Sequence, residues 1–186
     1  MTEHTFRTIP QLETDRLILK EISHSDAHGV YQLFTDERVV KTFGYRMGRS
    51  LPDAHDLIDH WRRIYEAGEG VRWGMYLKPS MKLIGNLGFK NVNDGTHVSV
   101  GYALLPYYWR NGLTSEALSA IIAYAFSAMN ITKIEASVLT VNTSSILLLN
   151  KLGFTRTAYL KQNYFFDNAF HDVYVYTIDN KYITSI

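Results

Sequence analysis

The feature that most constrains the fold is a pair of consecutive strand–helix units in the middle of the chain. Residues 98–105 have the apolar pattern of a strand, and after a loop through Gly112 apolar residues recur at helical spacing. Residues 134–139 then predict a second strand, and residues 143–152 predict a second, largely apolar helix. This alternation of strand and helix favours parallel pairing of the two strands.

The flanking segments predict antiparallel strands and further helices around this central unit. The predicted elements are a helix from Ser23 to about Thr35, an amphipathic helix from Pro52 to Gly68, and strands over residues 16–22, 72–77, 83–89, 159–166 and 170–178, the last two as an aromatic hairpin. Together the patterns predict an α/β (α+β) fold: a mixed, mostly antiparallel sheet of about seven strands with a central parallel pair, flanked by about four helices.

Composition indicates one domain and excludes several classes of site. A chain of 186 residues with 46% apolar content can bury one core, so we expect a single domain over residues 1–186. Its net charge of +1, without long charged blocks, predicts neither a nucleic-acid partner nor a membrane surface. The absence of cysteine excludes disulfides, thiolate metal sites and a cysteine nucleophile. A polar stretch from Met1 to Gln11 lacks a signal-peptide core, so a cytoplasmic protein is expected.

The loop before the first central helix has the features of a phosphate-binding turn. Several backbone N–H groups point outward at a helix N-terminus, Gly112 permits close approach of a ligand, and Arg110 can contact a phosphate oxygen. The alternative is that Gly112 only closes a tight turn and Arg110 is solvated. The next strand-to-helix turn, at Asn142 and Thr143, faces the same side, although helix capping alone also explains these two residues.

Other catalytic signatures are absent from the sequence. It contains no nucleotide-binding phosphate loop, dinucleotide fingerprint, serine nucleophile elbow or His-Glu-x-x-His pair. His24 and His28 are one helical turn apart but lack further ligands at suitable spacing, so no metal is predicted.

Taken in order, a set of residues across the chain resembles the GCN5-related N-acetyltransferases (GNAT). The set comprises Gly101, Tyr102, Pro106, Trp109, Gly112, Ser115, Glu116, Ala117, Asn142, Ser145, Lys151, Leu152, Gly153 and Phe154. The segment 13–17, with the sequence ETDRL, and Asp172 in the last hairpin resemble the branch that contains the ribosomal-protein alanine N-acetyltransferases. The resemblance implies the GNAT fold, acetyl-coenzyme A as cosubstrate and an amine acceptor.

The resemblance also implies roles for individual residues. The loop that holds the coenzyme A pyrophosphate matches Trp109, Arg110, Asn111, Gly112, Leu113 and Thr114, and the strand end that pairs with the pantetheine arm matches Leu104 and Leu105. Asn142 corresponds to a residue that contacts this arm, and Lys151 is included in the predicted cofactor site. Ser145, the predicted catalytic residue, lies near the thioester sulfur in such proteins, where its hydroxyl can protonate the leaving thiolate.

The sequence departs from the family pattern at positions that matter for chemistry. Trp109 and Thr114 replace the usual loop residues, a change that backbone-mediated binding tolerates. Ser99 occupies the position where many relatives carry a glutamate that helps to deprotonate the acceptor amine. A water-mediated route to His97, Glu135 or another carboxylate is an alternative.

Three functions therefore stay open at this stage. The first is an enzyme that acetylates a peptide N-terminus or a small-molecule amine. The second is a non-catalytic acyl-coenzyme A sensor, which the serine at position 99 favours. The third is an interaction domain on the same fold, which predicts no cofactor binding. Exposed aromatic strands near the C-terminus could also pair in a homodimer.

Overall fold

The computed structural model describes residues 8–46, 50–91 and 95–180. The strands are β1 (Leu12–Glu13), β2 (Leu17–Glu21), β3 (Gly70–Leu77), β4 (Lys82–Asn91), β5 (His97–Leu104), β6 (Lys133–Leu139), β7 (Thr155–Phe166) and β8 (Ala169–Asp179). The helices are α1 (Ala27–Thr35), α2 (Glu37–Phe43), α3 (Leu51–Glu66), α4 (Leu113–Ala128) and α5 (Thr143–Lys151). All eight strands form one sheet in the order β1-β2-β3-β4-β5-β6-β8-β7.

The predicted architecture is confirmed, with one strand and one helix more than the sequence indicated. Only β5 and β6 pair in parallel, and every other neighbouring pair in this sheet is antiparallel. The two residues of β1 are too few to show alternation. The short helix α2 was missed because it follows α1 after the single residue Asp36, whose side chain accepts a hydrogen bond from the Arg38 amide and so begins a new helix.

The sheet separates two apolar cores. On one face, Trp73, Met75 and Val100 pack with Leu118 and Ile121 of α4. On the other face, strand residues including Tyr76 and Leu83 pack with α1, α2 and α3; the helix residues are Val30, Leu33, Phe34, Val39 and Ile58. This second face is called the α1–α3 face below. Successive side chains of a strand point to opposite faces, and helices cover both faces of the middle strands. Both sets of side chains are therefore buried, so these strands are apolar throughout.

The parallel pair opens into a V-shaped gap. Strands β5 and β6 are in register over only three residue pairs, from His97 with Lys133 to Ser99 with Glu135. Beyond Ser99, β5 continues to pair with β4 as far as Leu104, and β6 continues to pair with β8. The facing edges of β5 and β6 are therefore free of each other at the carboxyl ends of the strands, where ligands bind in sheets of this kind.

The predicted domain extends beyond the residues that the structure describes. Residues 1–7 of the polar N-terminal stretch lie outside the described residues. The single domain over residues 1–186 thus stays a prediction for the whole chain. In the part of the chain that is described, no helix combines the length and apolar character needed to cross a membrane.

Candidate active site

A cleft of about 590 Å³ occupies the gap between β5 and β6. Residues 100–104 and 136–139 form its two strand walls, and the start of α4, the start of α5 and one side of α2 complete it. The Leu105 amide donates to the Ile84 carbonyl oxygen at 2.8 Å in the ladder with β4. Because successive backbone groups of a strand alternate in direction, the Leu104 amide points away from β4 and toward the cleft.

The N-terminus of α4 opens directly into this cleft. Gly112 adopts a left-handed conformation with φ 76° as the N-cap residue, and no side chain caps the helix there. Gly112, Leu113, Thr114 and Ser115 all line the cleft. First-turn amides of a helix have no intrahelical partner and carry partial positive charge, so this end can bind an anion such as a phosphate group.

The loop before α4 is held by a cluster around Glu116 that the residue patterns alone did not predict. The Glu116 carboxylate accepts hydrogen bonds from the Arg16 side chain (2.7 Å), the Arg16 amide (2.9 Å) and the Thr14 hydroxyl (2.5 Å). Arg16 also donates to the Asn111 carbonyl oxygen at 2.9 Å. Although burial opposes it, hydrogen bonds from Thr14 and Arg16 hold the pKa of Glu116 below its ordinary value. Segment 13–17 carries part of the family resemblance, and these contacts show that it holds the loop in place. They are called the clamp below.

The predicted cofactor residues divide into those that line the cleft and those that lie outside it. The lining residues are Leu104, Trp109, Arg110, Gly112, Leu113, Thr114, Asn142 and Ser145. Leu105, Asn111 and Lys151 are not among the cleft residues. The Leu105 amide is bonded to β4, and Asn111 turns its side-chain amide back to the Tyr108 and Trp109 carbonyl oxygens. Lys151 is the last residue of α5, and the residues of that helix that line the cleft are Ser144, Ser145, Leu148 and Leu149.

Trp109 anchors the loop to the end of β5. Its indole nitrogen donates to the Leu104 carbonyl oxygen at 2.6 Å. That bond uses the Leu104 carbonyl but leaves its amide free to act as a donor in the cleft. Trp109 therefore ties the loop to the end of β5 and forms part of the cleft wall.

Ser145 forms a hydrogen-bonded pair with Tyr102. The two hydroxyl oxygens are 2.5 Å apart, and both residues line the cleft. Burial raises the pKa of Tyr102 to about 12, against the smaller lowering effect of the bond to Ser145. Tyr102 is therefore protonated near neutral pH and can supply a proton through Ser145. The motif that carries the family resemblance includes Tyr102 but implies no role for it. Only its contact with Ser145 of α5 reveals one.

Asn142 joins two elements that border the cleft. Its side-chain oxygen accepts from the Ser145 amide at 3.1 Å and so caps α5, while its side-chain nitrogen donates to the Thr42 carbonyl oxygen at 2.9 Å. The capping alternative considered for Asn142 is thus present in the structure. Each amide atom retains capacity for a second hydrogen bond.

The far side of the cleft is formed by α2 and the C-terminal hairpin. Val39, Thr42 and Phe43 of α2 line it together with Tyr164 of β7. The Tyr164 hydroxyl donates to the Gly44 carbonyl oxygen at 2.7 Å, which fixes the hairpin against the end of α2. Asp172 accepts from the Gln162 amide at 2.8 Å and from the Tyr159 hydroxyl, so it supports the irregular part of the same hairpin.

A carboxylate lies beside the position where many relatives carry a glutamate. Ser99 is in register with Glu135 of β6, so their side chains share the α1–α3 face of the sheet. The Glu135 carboxylate is 3.7 Å from Nε2 of His97 and is partly exposed. This arrangement places a carboxylate on the neighbouring strand β6 and an imidazole two residues before Ser99 on β5 itself.

The two histidines considered for a metal are not paired with each other. His24 instead stacks on His55 and lies 2.8 Å from Asp59, while His28 contacts Gln32. Among residues 8–46, 50–91 and 95–180 there is no group of three or more His, Cys, Asp or Glu side chains that could hold a metal ion.

Comparisons with known proteins identify the family of the chain. A family described as an acetyltransferase (GNAT) domain matches residues 16–155. YoaA of Bacillus subtilis, an uncharacterized N-acetyltransferase, is 35% identical over 170 residues, which cover 91% of this chain and 96% of YoaA. The alanine N-acetyltransferase of ribosomal protein uS5 from Escherichia coli is 25% identical over 171 residues, 87% of each chain.

Solved structures show the same fold. RimL, a ribosomal L7/L12 alpha-N-protein acetyltransferase in complex with coenzyme A, superposes with a TM-score of 0.82 at 16% identity, covering 91% of this chain and 98% of RimL. The family match extends over well more than half of the chain, on a fold whose central cleft is open between the two parallel strands. The chain therefore belongs to the GNAT family and is an N-acetyltransferase, with ribosomal-protein-alanine acetyltransferases among its relatives.

Proposed function

We propose that this protein transfers the acetyl group of acetyl-coenzyme A directly to a primary amine, either a peptide N-terminus or a small-molecule amine. The observation that carries the proposal is the alignment, along one cleft, of an uncapped helix N-terminus, a free strand amide at Leu104 and the Tyr102–Ser145 hydroxyl pair. The first fits a pyrophosphate, and the other two fit a reacting thioester. The coenzyme A complex of RimL supports the choice of cosubstrate.

Acetyl-coenzyme A supplies an acyl thioester, and the residues of the chain bind and orient it. The amides of Leu113, Thr114 and Ser115 receive the pyrophosphate, with Arg110 adding a charge-assisted contact. The open edge of β5 gives the pantetheine arm backbone partners. Among the predicted cofactor residues, Leu105, Asn111 and Lys151 lie off the cleft, so we assign them no direct contact.

Transfer requires a balanced set of proton movements. The amine nitrogen forms a bond to the carbonyl carbon, the carbon–sulfur bond breaks, the amine loses one proton and the departing sulfur gains one. The Leu104 amide polarises the carbonyl oxygen, and Ser145 donates to sulfur while Tyr102 replaces its proton. The Tyr102 phenol is neutral and protonated at neutral pH, so it can serve as this donor.

The acceptor amine needs only modest help to lose its proton. A terminal α-amine, with a reference pKa of about 7.7–8.0, is partly neutral at pH 7, whereas a lysine-type amine at about 10.4 is mostly protonated. We assign proton removal to Glu135, through water, with His97 beside it. Their place next to Ser99 supports this assignment, and it favours an α-amine over a lysine side chain.

The alternative is a non-catalytic acyl-coenzyme A sensor, which the serine at position 99 favours. Calorimetric titration with acetyl-coenzyme A, followed by thiol-release assays on pooled amines and N-terminal peptides, separates the two. Binding with thiol release supports the transferase, whereas binding without release supports the sensor. Absence of binding contradicts both.

We also propose that the protein forms a homodimer. Strand β7 lies at the edge of the sheet, and Tyr159, Phe165 and Phe170 of the hairpin are exposed. An exposed apolar edge can pair with a second copy. Sedimentation analysis at micromolar concentration should give twice the monomer mass, and a monomer contradicts the dimer.

A further inference from the structure

A half-buried arginine on the α1–α3 face lacks an acidic partner among the described residues. Arg72 of β3 donates from Nη1 to the Gly101 carbonyl oxygen at 3.0 Å and to the Asn86 side-chain oxygen at 3.4 Å. Within the described residues, no carboxylate contacts Arg72, and its Nε and Nη2 groups have no hydrogen-bond partner. Burial lowers the pKa of Arg72 to about 10, so the guanidinium is still charged at neutral pH.

The neighbouring asparagine adds a second unsatisfied donor. Asn86 is only 1% exposed, and its side-chain nitrogen has no hydrogen-bond partner among the described residues. The oxygen of this amide accepts from Arg72, which fixes the orientation of the amide. A buried donor without an acceptor is costly, so a bound acceptor group would relieve both the Asn86 nitrogen and the uncompensated charge of Arg72.

This cluster borders the cleft through Gly101. Register places Arg72 opposite Gly88 and Gly88 opposite Gly101, so the three strands bring the guanidinium to the β5 wall. Gly101 lines the cleft, and a Cβ added there would meet, within 4 Å and among the described residues, only Nη1 and Nη2 of Arg72, at 3.8 and 3.9 Å. Arg72 is not itself among the residues that line the cleft, but the absence of a side chain at Gly101 lets its guanidinium lie against this part of the β5 wall.

The cluster lies on the side of the sheet from which the amine is expected to approach. Gly101 follows Ser99 by two residues on β5, so both face the α1–α3 side with Glu135. Trp61 of α3 covers the guanidinium, with 5.8 Å between the Arg72 Cζ and the ring centroid. An aromatic cover restrains the side chain and leaves its planar fork available to a carboxylate.

We propose that Arg72, oriented by Asn86, binds a carboxylate carried by the acceptor a few bonds from the reacting amine. This inference rests on the proposed acetyl transfer and narrows its acceptor. The carboxylate belongs either to a free amino acid or to an acidic side chain at the start of a peptide. Arg72 acts in acceptor binding and takes no part in the chemical step.

The test compares acceptors that differ only by a carboxylate. Thiol release is measured for glutamate against glutamine, β-alanine against its amide, and peptides that begin Asp-Ala against Asn-Ala. A preference confined to the β-alanine pair identifies the main-chain carboxylate of a free amino acid, and a preference within the glutamate or Asp-Ala pairs identifies an acidic side chain. We expect kcat/KM to favour the carboxylate member of at least one pair by about ten- to hundredfold, mainly through KM.

Three variants connect that preference to the cluster. Arg72→Gln should abolish it while acetyl-coenzyme A affinity is retained, and Arg72→Lys should retain part of it. Asn86→Asp gives the Arg72 guanidinium an internal acid, so this variant should fold and also lose the preference, which covers the case that Arg72→Gln is unstable. Arg62→Gln, on the exposed side of α3 near Glu21, is the matched control and should change nothing.

The outcomes separate this inference from the proposed function. If no amine releases thiol, the same pairs are titrated into the protein saturated with coenzyme A, where Arg72-dependent binding of the carboxylate member still supports the cluster. Equal turnover and equal binding of both members in every pair overturn the inference and leave acetyl transfer intact. An equal loss for both members in Arg72→Gln shows a purely structural role.

Discussion

The clamp on the phosphate loop gives a prediction that can be worked through from the contacts. In Arg16→Met the apolar stem is largely retained, but the hydrogen bonds to Glu116 and to the Asn111 carbonyl oxygen are lost. The Arg16 side chain is 49% exposed and that of Glu116 is 19% exposed, so solvent screens part of the ion pair. After that discount, the lost contacts amount to about 1–2 kcal/mol.

The loss of these contacts should lower both the stability of the protein and its affinity for acetyl-coenzyme A. The free energy of unfolding from urea titration should fall by about 1–2 kcal/mol. If the whole free energy of the lost contacts serves to order the loop for binding, acetyl-coenzyme A should bind about five- to thirtyfold more weakly by calorimetry. Arg62→Gln, which removes an exposed pair at 3.6 Å, should change neither quantity.

The pH dependence of the same variant gives an independent check. Hydrogen bonds from Thr14 and Arg16 hold the pKa of Glu116 low despite its burial, so its contribution to stability is present above the unfolded pKa of about 4.3. That contribution is lost as pH falls from there through the lower folded pKa. The wild type should thus lose its advantage over Arg16→Met in this acid range. An unchanged acetyl-coenzyme A affinity in Arg16→Met at pH 7 would refute the clamp.

Three further predictions concern the chemistry. Ser145→Ala should lower kcat by about ten- to hundredfold while leaving acetyl-coenzyme A affinity unchanged, because Ser145 acts only on the leaving sulfur; equal kcat values remove its role. Glu135→Gln should lower kcat/KM mainly below the pKa of the acceptor amine, so its pH–rate profile should differ from that of wild type in the acid limb, and parallel profiles exclude Glu135. Burial raises the pKa of Tyr102 to about 12, so its contribution to stability is present below the unfolded pKa of about 10 and is lost as pH rises through the folded value. Tyr102→Phe should therefore lose less stability than wild type between these pH values in urea titrations, and an identical decline contradicts the buried phenol.

Much of the fold could be predicted because its signals are local. The apolar spacing of α4 and α5 and the alternation in the hairpin predict elements at nearly their observed places. Helix α2 was missed because seven residues after a single-residue break do not establish a helical period. That omission also hid the side of the cleft formed by Val39, Thr42 and Phe43.

The candidate site was predicted where it depends on backbone geometry. Gly112 and the start of α4 could be recognised because a glycine between strand and helix already implies a close approach to free amides. Leu105 and Lys151 were placed in the site by resemblance. That they do not line the cleft depends on the direction of the Leu105 amide and on which side chains of α5 face the cleft, and neither is visible in sequence.

The sequence alone determined the order of strands and helices, the helix N-terminus at Gly112 and the absence of any cysteine chemistry. Tertiary structure alone decided the contacts between distant segments. Arg16 reaches Glu116 across a separation of 100 residues, Tyr102 meets Ser145, and Arg72 lies beside Gly101. The physical reason is that hydrogen-bond and charge complementarity act over a few ångströms in space, whereas the periodicity that specifies helices and strands acts along the chain.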